Sequence, residues 1–175
     1  MKFLVLFDGS NFYHFCKRVS PDSHLTHFKY REFVENLIGK KNLDIIYYVG
    51  EVKWSNNLQV QKLYNNQQSL FLWLRKNKVN IKLGYLLKSA GKYHEKGVDV
   101  QMAVDIVKAS IKNEYQKFYL ISSDTDLIPA IEIAKNEGKK VVYVSFEHKV
   151  VSHALQNVCT EEIIITKKII EKYAG

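Results

Sequence analysis

The order of hydrophobic patterns along the 175 residues predicts a three-layer α/β/α domain with a central, mainly parallel sheet. Short apolar runs typical of buried strands alternate with longer segments in which apolar residues recur at helical spacing. A strand–helix–strand order of this kind favours parallel strands covered by helices on both faces. Because no repeat or linker interrupts the pattern and the length fits one domain, we predict a single domain over residues 1–175.

Six apolar segments are predicted to be strands. The first, residues 3–7, is continuously apolar, as expected of a strand that is buried on both faces of the sheet. The last, residues 163–165, is too short for periodicity to separate a strand from a helix. The polar segment 88–96 is predicted to be a loop. The remaining four strand segments are residues 43–52, 79–87, 118–121 and 141–144.

Four helices are predicted between these strands, over residues 30–38, 57–77, 98–111 and 126–137. The third carries apolar residues on two sides, and a helix with two apolar sides is expected to be mostly buried. The fourth is followed by Gly138, which is typical of the position just after the end of a helix.

The chain is basic, with 26 Lys and Arg residues against 18 Asp and Glu and a formal net charge of +8. A basic surface attracts polyanions such as nucleic acid, although a solvated lysine-rich surface explains the charge equally well. The two cysteines can form at most one bridge, so no disulfide framework is expected. No apolar run approaches the roughly 20 residues that span a bilayer, and no signal peptide is evident. We therefore expect a cytoplasmic protein without a membrane partner, and leave open whether it forms a homodimer.

Carboxylates stand where the predicted strands end. Asp8 follows the first strand, Asp124 and Asp126 follow the strand at 118–121, and Asp99 lies at the start of the third helix. The working site of an open α/β sheet lies outside the carboxyl ends of its strands, so we expect these four acids to meet there. Four neighbouring carboxylates repel one another unless a cation neutralises them, and oxygen ligands suit Mg²⁺ or Mn²⁺. No histidine or cysteine stands in these motifs, which argues against a tetrahedral zinc site.

Each acid also has a simpler explanation. Residues 8–11 could form a turn followed by a helix N-cap at position 10 or 11. Asp99 could interact favourably with the dipole of its own helix, and residues 124–126 could cap the helix that follows them. Asp105, within the third helix, could pair with a lysine across an interface. These explanations stay open from the sequence alone, but they do not account for all four acids at one sheet edge.

Three segments resemble the signature segments of NYN domains, which belong to the PIN-like nuclease superfamily. They are residues 8–11 (DGSN), 96–105 (KGVDVQMAVD) and 122–129 (SSDTDLIP). The similarity extends over nearly the whole chain and is greatest to the LabA-like branch, whose helix-to-strand passage residues 134–141 also follow. The resemblance implies a PIN-like, Rossmann-like fold.

The resemblance further implies a metal-dependent ribonuclease that uses Mg²⁺ or Mn²⁺. Carried over by motif, Asp8, Asp99, Asp124 and Asp126 are metal ligands and catalytic residues, and Asn11 helps to orient a ligand or the scissile phosphate.

Other positions carry less of the family pattern. Asp105 also matches a family acid, but it stands six positions after Asp99 and so cannot share its helix face, and we interpret it as structural. The chain departs from the pattern at Ser123 and Leu127, where members often have Gly and Phe, and at 159–160, where an Ala-Asp pair is usual.

RNA is the partner that these features suggest, and five residues are predicted to contact it: Lys53, Trp54, Lys92, Tyr93 and Lys96. Aromatic side chains stack on bases with about 1–3 kcal/mol per base, although Trp54 could instead be a lid over the core. Two other functions remain as alternatives. One is a non-catalytic RNA-binding or regulatory module. The other is a phosphohydrolase that forms an aspartyl-phosphate, because residues 124–126 read Asp-Thr-Asp.

Overall fold

A seven-stranded sheet forms the centre of the part of the chain that the structure describes. The computed structural model describes residues 2–89, 92–147 and 152–175, with only the backbone described for residues 85–89 and 92–96. The strand order is β4-β3-β2-β1-β5-β6-β7. All neighbours run parallel except β3 and β4, which are antiparallel. The strands are β1 (Phe3–Asp8), β2 (Leu43–Glu51), β3 (Asn80–Ser89), β4 (Lys92–Lys96), β5 (Lys117–Ile121), β6 (Lys140–Phe146) and β7 (Glu161–Ile165).

Helices cover both faces of the sheet and complete the predicted three layers. They are α1 (Gly9–Val19), α2 (Tyr30–Ile38), α3 (Leu58–Lys76), α4 (Val98–Ile111), α5 (Ile128–Asn136), α6 (His153–Val158) and α7 (Lys167–Tyr173), with a short 3₁₀ turn, Thr125–Leu127, before α5. One core packs α1, α2, α3 and α7 on the sheet, and the other packs α4, α5 and α6. β1 serves both, because Val5 and Phe7 enter the first core while Leu4 and Leu6 enter the second. The prediction of an α/β/α fold with a mainly parallel sheet is therefore confirmed.

The predicted loop at 88–96 is wrong, because β3 continues to Ser89 and β4 follows as an antiparallel strand. The β4 sequence, Lys-Tyr-His-Glu-Lys, shows no apolar alternation and looks like a polar connection. Charged residues are nonetheless usual on edge strands, where they oppose pairing with other chains. β4 is such an edge strand.

The prediction that α4 is buried on two sides is also wrong. Met102 and Ile106 face the core and are fully buried, but Val100 and Ile111 on the other side are 62% and 65% exposed. The sheet covers one side of a helix in the outer layer, and no other element described here covers the second side. Gly138, by contrast, adopts the left-handed conformation predicted after α5, with φ of 73°.

The helices α6 and α7 were not predicted, and α1 was anticipated only through a possible N-cap at position 10 or 11. In α1 the apolar residues Phe12, Phe15 and Cys16 lie on one face, but the polar residues between them hide the repeat in an 11-residue segment. α6 and α7 have six and seven residues, too few for a clear period. Across the described ranges, no helix combines the length and apolar character that crossing a bilayer requires.

The topology creates a crevice between β1 and β5. From β1 the chain builds β2 and β3 on one side, and it later returns to the other side of β1 to build β5, β6 and β7. Such a reversal leaves an opening at the carboxyl ends of the two central strands, where ligands bind in open α/β sheets. Asp8 is the last residue of β1, and Ser122 directly follows β5.

Candidate active site

Three of the four predicted acids meet at this crevice. One carboxylate oxygen from each of Asp99, Asp124 and Asp126 lies within 4.8 Å of the others. Asp99 and Asp124 are half-buried, and Asp126 is exposed. Carboxylates this close repel one another when ionised, and a divalent cation in contact with all three relieves that repulsion. The geometry therefore suits a cation bound by oxygen ligands.

Local structure explains why the three acids converge. Asp124 is the N-cap of the 3₁₀ turn, and its Oδ1 accepts a 2.9 Å hydrogen bond from the Asp126 backbone amide. This bond holds the two acids on one tight turn. Asp99 lies in the first turn of α4, which begins after Gly97 with a φ of 79° that favours glycine. The Asp99 carboxylate accepts no hydrogen bond from any side chain or amide in the described ranges, so it stays available to a ligand.

Asp8 lies beside these three acids but is held differently. It is 7% exposed and is the N-cap of α1, where its Oδ1 accepts a 3.0 Å hydrogen bond from the Asn11 amide. Its Oδ2 accepts hydrogen bonds from the Asn11 side chain and from Ser122 Oγ, the latter at 3.1 Å. Burial raises the pKa of Asp8, the hydrogen bonds from Asn11 and Ser122 offset part of that rise, and the charge of Asp124 adds to it. Asp8 is thus a buried acid fixed next to the cluster rather than a member of it.

A chain of hydrogen bonds joins the ends of β1 and β5. Ser123 Oγ donates to Asn11 Oδ1 at 2.9 Å, and the Asn11 side chain in turn donates to Asp8. The Ser122 hydroxyl donates to Asp8 and accepts from the Asp124 amide at 3.1 Å. Asn11 was predicted to orient a ligand or phosphate; here its side chain orients Asp8 and Ser123. Ser122 was not singled out from the sequence, although its place directly after a buried strand was a usable signal.

Some of the acids act as N-caps, as the simpler explanation expects, and three acids also form a cluster. Asp8 and Asp124 each cap the element that follows. The N-cap expected at position 10 or 11 therefore lies two or three residues earlier, at Asp8. Asp105 is 9% exposed and pairs with Lys82 Nζ at 2.7 Å, while the Tyr48 hydroxyl donates to it at 2.8 Å. Asp105 therefore pairs with a lysine as expected, and this lysine belongs to the neighbouring strand β3 of the same chain.

The predicted RNA contacts lie on the same edge of the sheet. Lys53 and Trp54 follow β2, and Trp54 is 60% exposed, so it is not a lid over the core. Lys92, Tyr93 and Lys96 lie in β4, and their side chains fall outside the described part of the chain.

Sequence reasoning missed a cleft beside α1. The cleft measures about 340 Å³ and is lined by Ser10, Asn11, His14, Phe15, Arg18 and Ser123. Asn11, His14 and Arg18 are spaced by three and four residues, which places them on one face of a helix. That spacing was visible in the sequence, but α1 itself was not predicted.

Three similarities to other proteins add to these observations. A family model described as "NYN domain" matches residues 2–166. An uncharacterized protein from Methanocaldococcus jannaschii is 35% identical over 81 residues, which cover 43% of this chain and 33% of that protein. The match therefore spans about a third of that relative's length.

A crystal structure of a protein of unknown function from Vibrio parahaemolyticus has a similar fold. It superposes with a TM-score of 0.67 and 18% identity, covering 94% of this chain and 92% of the other. At this identity the likeness concerns the fold alone.

Proposed function

Because the chain belongs to the NYN domain family, whose fold is a PIN-like nuclease fold, we propose that it is a metal-dependent ribonuclease. Its substrate is the phosphodiester backbone of single-stranded RNA, and its cation is Mg²⁺ or Mn²⁺. We place it in the LabA-like branch on the three segments described above. The observation that carries the proposal is the convergence of Asp99, Asp124 and Asp126 at the crevice between β1 and β5.

The donor set fits a hard divalent cation. Three carboxylates supply only oxygen, the ligand type that Mg²⁺ and Mn²⁺ prefer, and the exposed Asp126 makes the cluster accessible to solvent. Asp99, Asp124 and Asp126 would hold the cation. Asp8 is a further carboxylate, close enough to Asp124 to interact with its charge. When bound, such a cation polarises a phosphate and makes a nearby water more acidic.

The protein's own residues do the positioning. Ser122 and Asn11 fix the Asp8 carboxylate with hydrogen bonds, and the Asp124 turn fixes Asp126. These bonds reduce the freedom of acids that otherwise repel one another. Because these side chains are already held in place, little free energy is lost to rearrangement when substrate binds.

The surroundings favour a strand of nucleic acid. β3 continues from its last pair with β2, at Tyr85, to Ser89, and β4 returns antiparallel to it. At about 3.3 Å per residue, this hairpin extends roughly 13 Å beyond the end of β2. It leads through Gly97 into α4 and Asp99. We propose that Lys92, Tyr93 and Lys96 on the hairpin, with Lys53 and Trp54 after β2, contact the RNA.

Cleavage of a 5′-labelled single-stranded RNA, with and without Mn²⁺ or Mg²⁺, tests the proposal. We expect cleavage by the wild type only with metal, and a loss of at least about 100-fold in Asp124→Asn, because even residues behind a metal ligand contribute 10–100-fold. Asp22→Asn is the matched control, since exposed Asp22 lies beyond the other end of α1, about 16 Å away by helix length. Absence of metal-dependent cleavage by the wild type, or equal cleavage by Asp124→Asn, contradicts the proposal.

The net charge of +8 also favours the second candidate, an RNA-binding module without activity. Such a protein would bind the same RNA with a steep salt dependence and leave it uncut. The cleavage assay and a binding titration on one sample separate the two functions.

A further inference from the structure

The cleft beside α1 opens next to the acid cluster. Ser123, which lines the cleft, immediately precedes Asp124 in the chain. Ser123 Oγ also donates to Asn11 Oδ1, and Asn11 lines the cleft near the start of α1. A strand that leaves the acids along this side of the crevice therefore enters the cleft directly.

The cleft presents basic side chains that have no partner in the described ranges. Arg18 is exposed and forms no hydrogen bond or ion pair with any residue described, and His14 contacts only the ring of neighbouring Tyr13. Lys17 on the same helix differs, because its Nζ donates to the carbonyls of Pro21 and Ser23 at 2.9 and 2.8 Å. Lys17 thus stabilises the turn after α1, whereas Arg18 is free to bind a ligand.

The spacing suits a polyanion. Arg18 stands two helical turns after Asn11, or about 10 Å along the axis. At about 3.4 Å per nucleotide, that is about three nucleotides of a strand. The guanidinium of Arg18 can form bidentate hydrogen bonds with phosphate oxygens. His14 lies between Asn11 and Arg18 on the helix and can donate a ring N–H to a phosphate.

We propose that this cleft is a phosphate-binding subsite for single-stranded RNA, in which His14 and Arg18 hold the backbone up to about three nucleotides beyond Asn11, next to the acid cluster. The contacts are to phosphates, so the subsite does not depend on base sequence. The proposal rests on the proposed function for its substrate class but not for hydrolysis.

Binding tests the subsite without requiring cleavage. The anisotropy of a labelled 12-nucleotide RNA is measured with Ca²⁺ in place of Mg²⁺, for wild type, Arg18→Ala, His14→Ala and Arg75→Ala. Arg75 is also an exposed arginine near the end of its helix, α3, just before β3 begins, and serves as the control. We expect the dissociation constant to rise about tenfold for Arg18→Ala, about threefold for His14→Ala and less than twofold for Arg75→Ala.

The salt dependence gives a second readout. Loss of one phosphate contact lowers the slope of log K against log salt by about 0.7 for a single strand. Arg18→Ala should show this change and Arg75→Ala should not. Arg18→Ala with the affinity and slope of Arg75→Ala overturns the proposal, as does a wild type that binds no RNA.

Kinetics with two substrates separate the subsite from the proposed hydrolysis. Bis(p-nitrophenyl) phosphate contains one phosphodiester and cannot reach Arg18, so its hydrolysis should be unchanged in Arg18→Ala. With RNA, KM should rise about tenfold while kcat stays near the wild-type value. An equal loss on both substrates overturns the subsite, because it places Arg18 in the acid site or in the stability of the fold. A wild type that cleaves neither substrate contradicts the hydrolytic function, and the binding comparison then still decides the subsite.

Discussion

Replacement of Asp124 by Asn should stabilise the metal-free protein, because it removes charge from the acid cluster without removing a cap. Asn is as good an N-cap as Asp, so the hydrogen bond from the Asp126 amide is kept. Two unit charges 4.8 Å apart repel by about 0.9 kcal/mol even at the dielectric constant of water. The substitution removes two such pairs, with Asp99 and with Asp126. Allowing for salt and for the exposure of Asp126, we expect a gain of about 1 kcal/mol.

The same substitution should reverse the order of stability when metal is present. A cation at 100 times its dissociation constant stabilises the wild type by about 2.7 kcal/mol, and a site that lacks one of three ligands binds it more weakly. Thermal unfolding in EDTA and in a Mn²⁺ series measures both effects. At 2–4 °C per kcal/mol for a chain of this size, Asp124→Asn should melt roughly 2–4 °C above wild type in EDTA and below it in saturating Mn²⁺.

Asp22→Asn controls for the charge change and should follow the wild type in both conditions. An Asp124→Asn protein that melts at or below the wild-type temperature in EDTA would show that the acids do not repel one another strongly. If the wild type and Asp124→Asn gain the same stability from Mn²⁺, the three acids do not share a cation.

Three further predictions concern the supports of the site and the layers of the fold. The pKa of Asp8 is raised in the folded protein, so the contribution of Asp8 to stability is fully present below pH 3.8 and is lost as the pH rises through its folded pKa. Urea titrations in EDTA at several pH values should therefore show that the wild type loses stability relative to Asp8→Asn as the pH rises from 3.8 through the folded pKa. Ser122→Ala removes a buried hydroxyl that bonds Asp8 and the Asp124 amide, and should cost about 1–3 kcal/mol in urea unfolding and about 10–100-fold in RNA cleavage. Met102→Ala on the buried side of α4 should cost about 2–5 kcal/mol, whereas Val104→Ala on its exposed side should stay within about 0.5 kcal/mol.

The Asp8, Ser122 and Met102 substitutions can each be compared with a control, and each has an outcome that would contradict the prediction. For Asp8 the comparison is of pH slopes, and parallel slopes would contradict the raised pKa. Ser69→Ala is the control for Ser122, because exposed Ser69 donates only to the Asn65 carbonyl; equal effects would mean that the Ser122 bonds contribute little. If Val104→Ala costs as much as Met102→Ala, the outer side of α4 is covered in solution.

The sequence predicted most of the fold because burial leaves a pattern in it. Residues 3–7 and 118–121 are apolar throughout since they lie between two helical layers, and α2 and α4 were placed with the observed bounds. The edge strand β4 and the helix α1 were missed for the opposite reason. The β4 sequence, Lys-Tyr-His-Glu-Lys, is polar throughout, and in α1 polar residues separate the few residues that contact the core. The burial of the second side of α4 depends on which elements pack around the helix, and the local sequence does not contain that information.

The candidate site was predictable in its members but not in its connections. Acids directly after two apolar runs predicted convergence at one edge, and Asp99, Asp124 and Asp126 do lie together. The hydrogen bond from Ser122 to Asp8, in contrast, exists because β1 pairs with β5. This contact joins distant parts of the chain, so no local sequence pattern predicts it. The α1 cleft was out of reach because its basic face belongs to a helix that had not been recognised.

The acids at this crevice show why capping and metal binding are not competing explanations. Asp8 and Asp124 each accept a hydrogen bond from a backbone amide at the start of the element that follows, which stabilises their negative charge before any cation arrives. A carboxylate has two oxygens and several lone pairs, so an oxygen used in a cap still leaves acceptor capacity toward the crevice. The strand ends of an α/β fold thus supply amides that hold acids in place, and the same acids can then share a cation. The caps explain how like charges stay close, and the closeness is what makes the site suited to a metal.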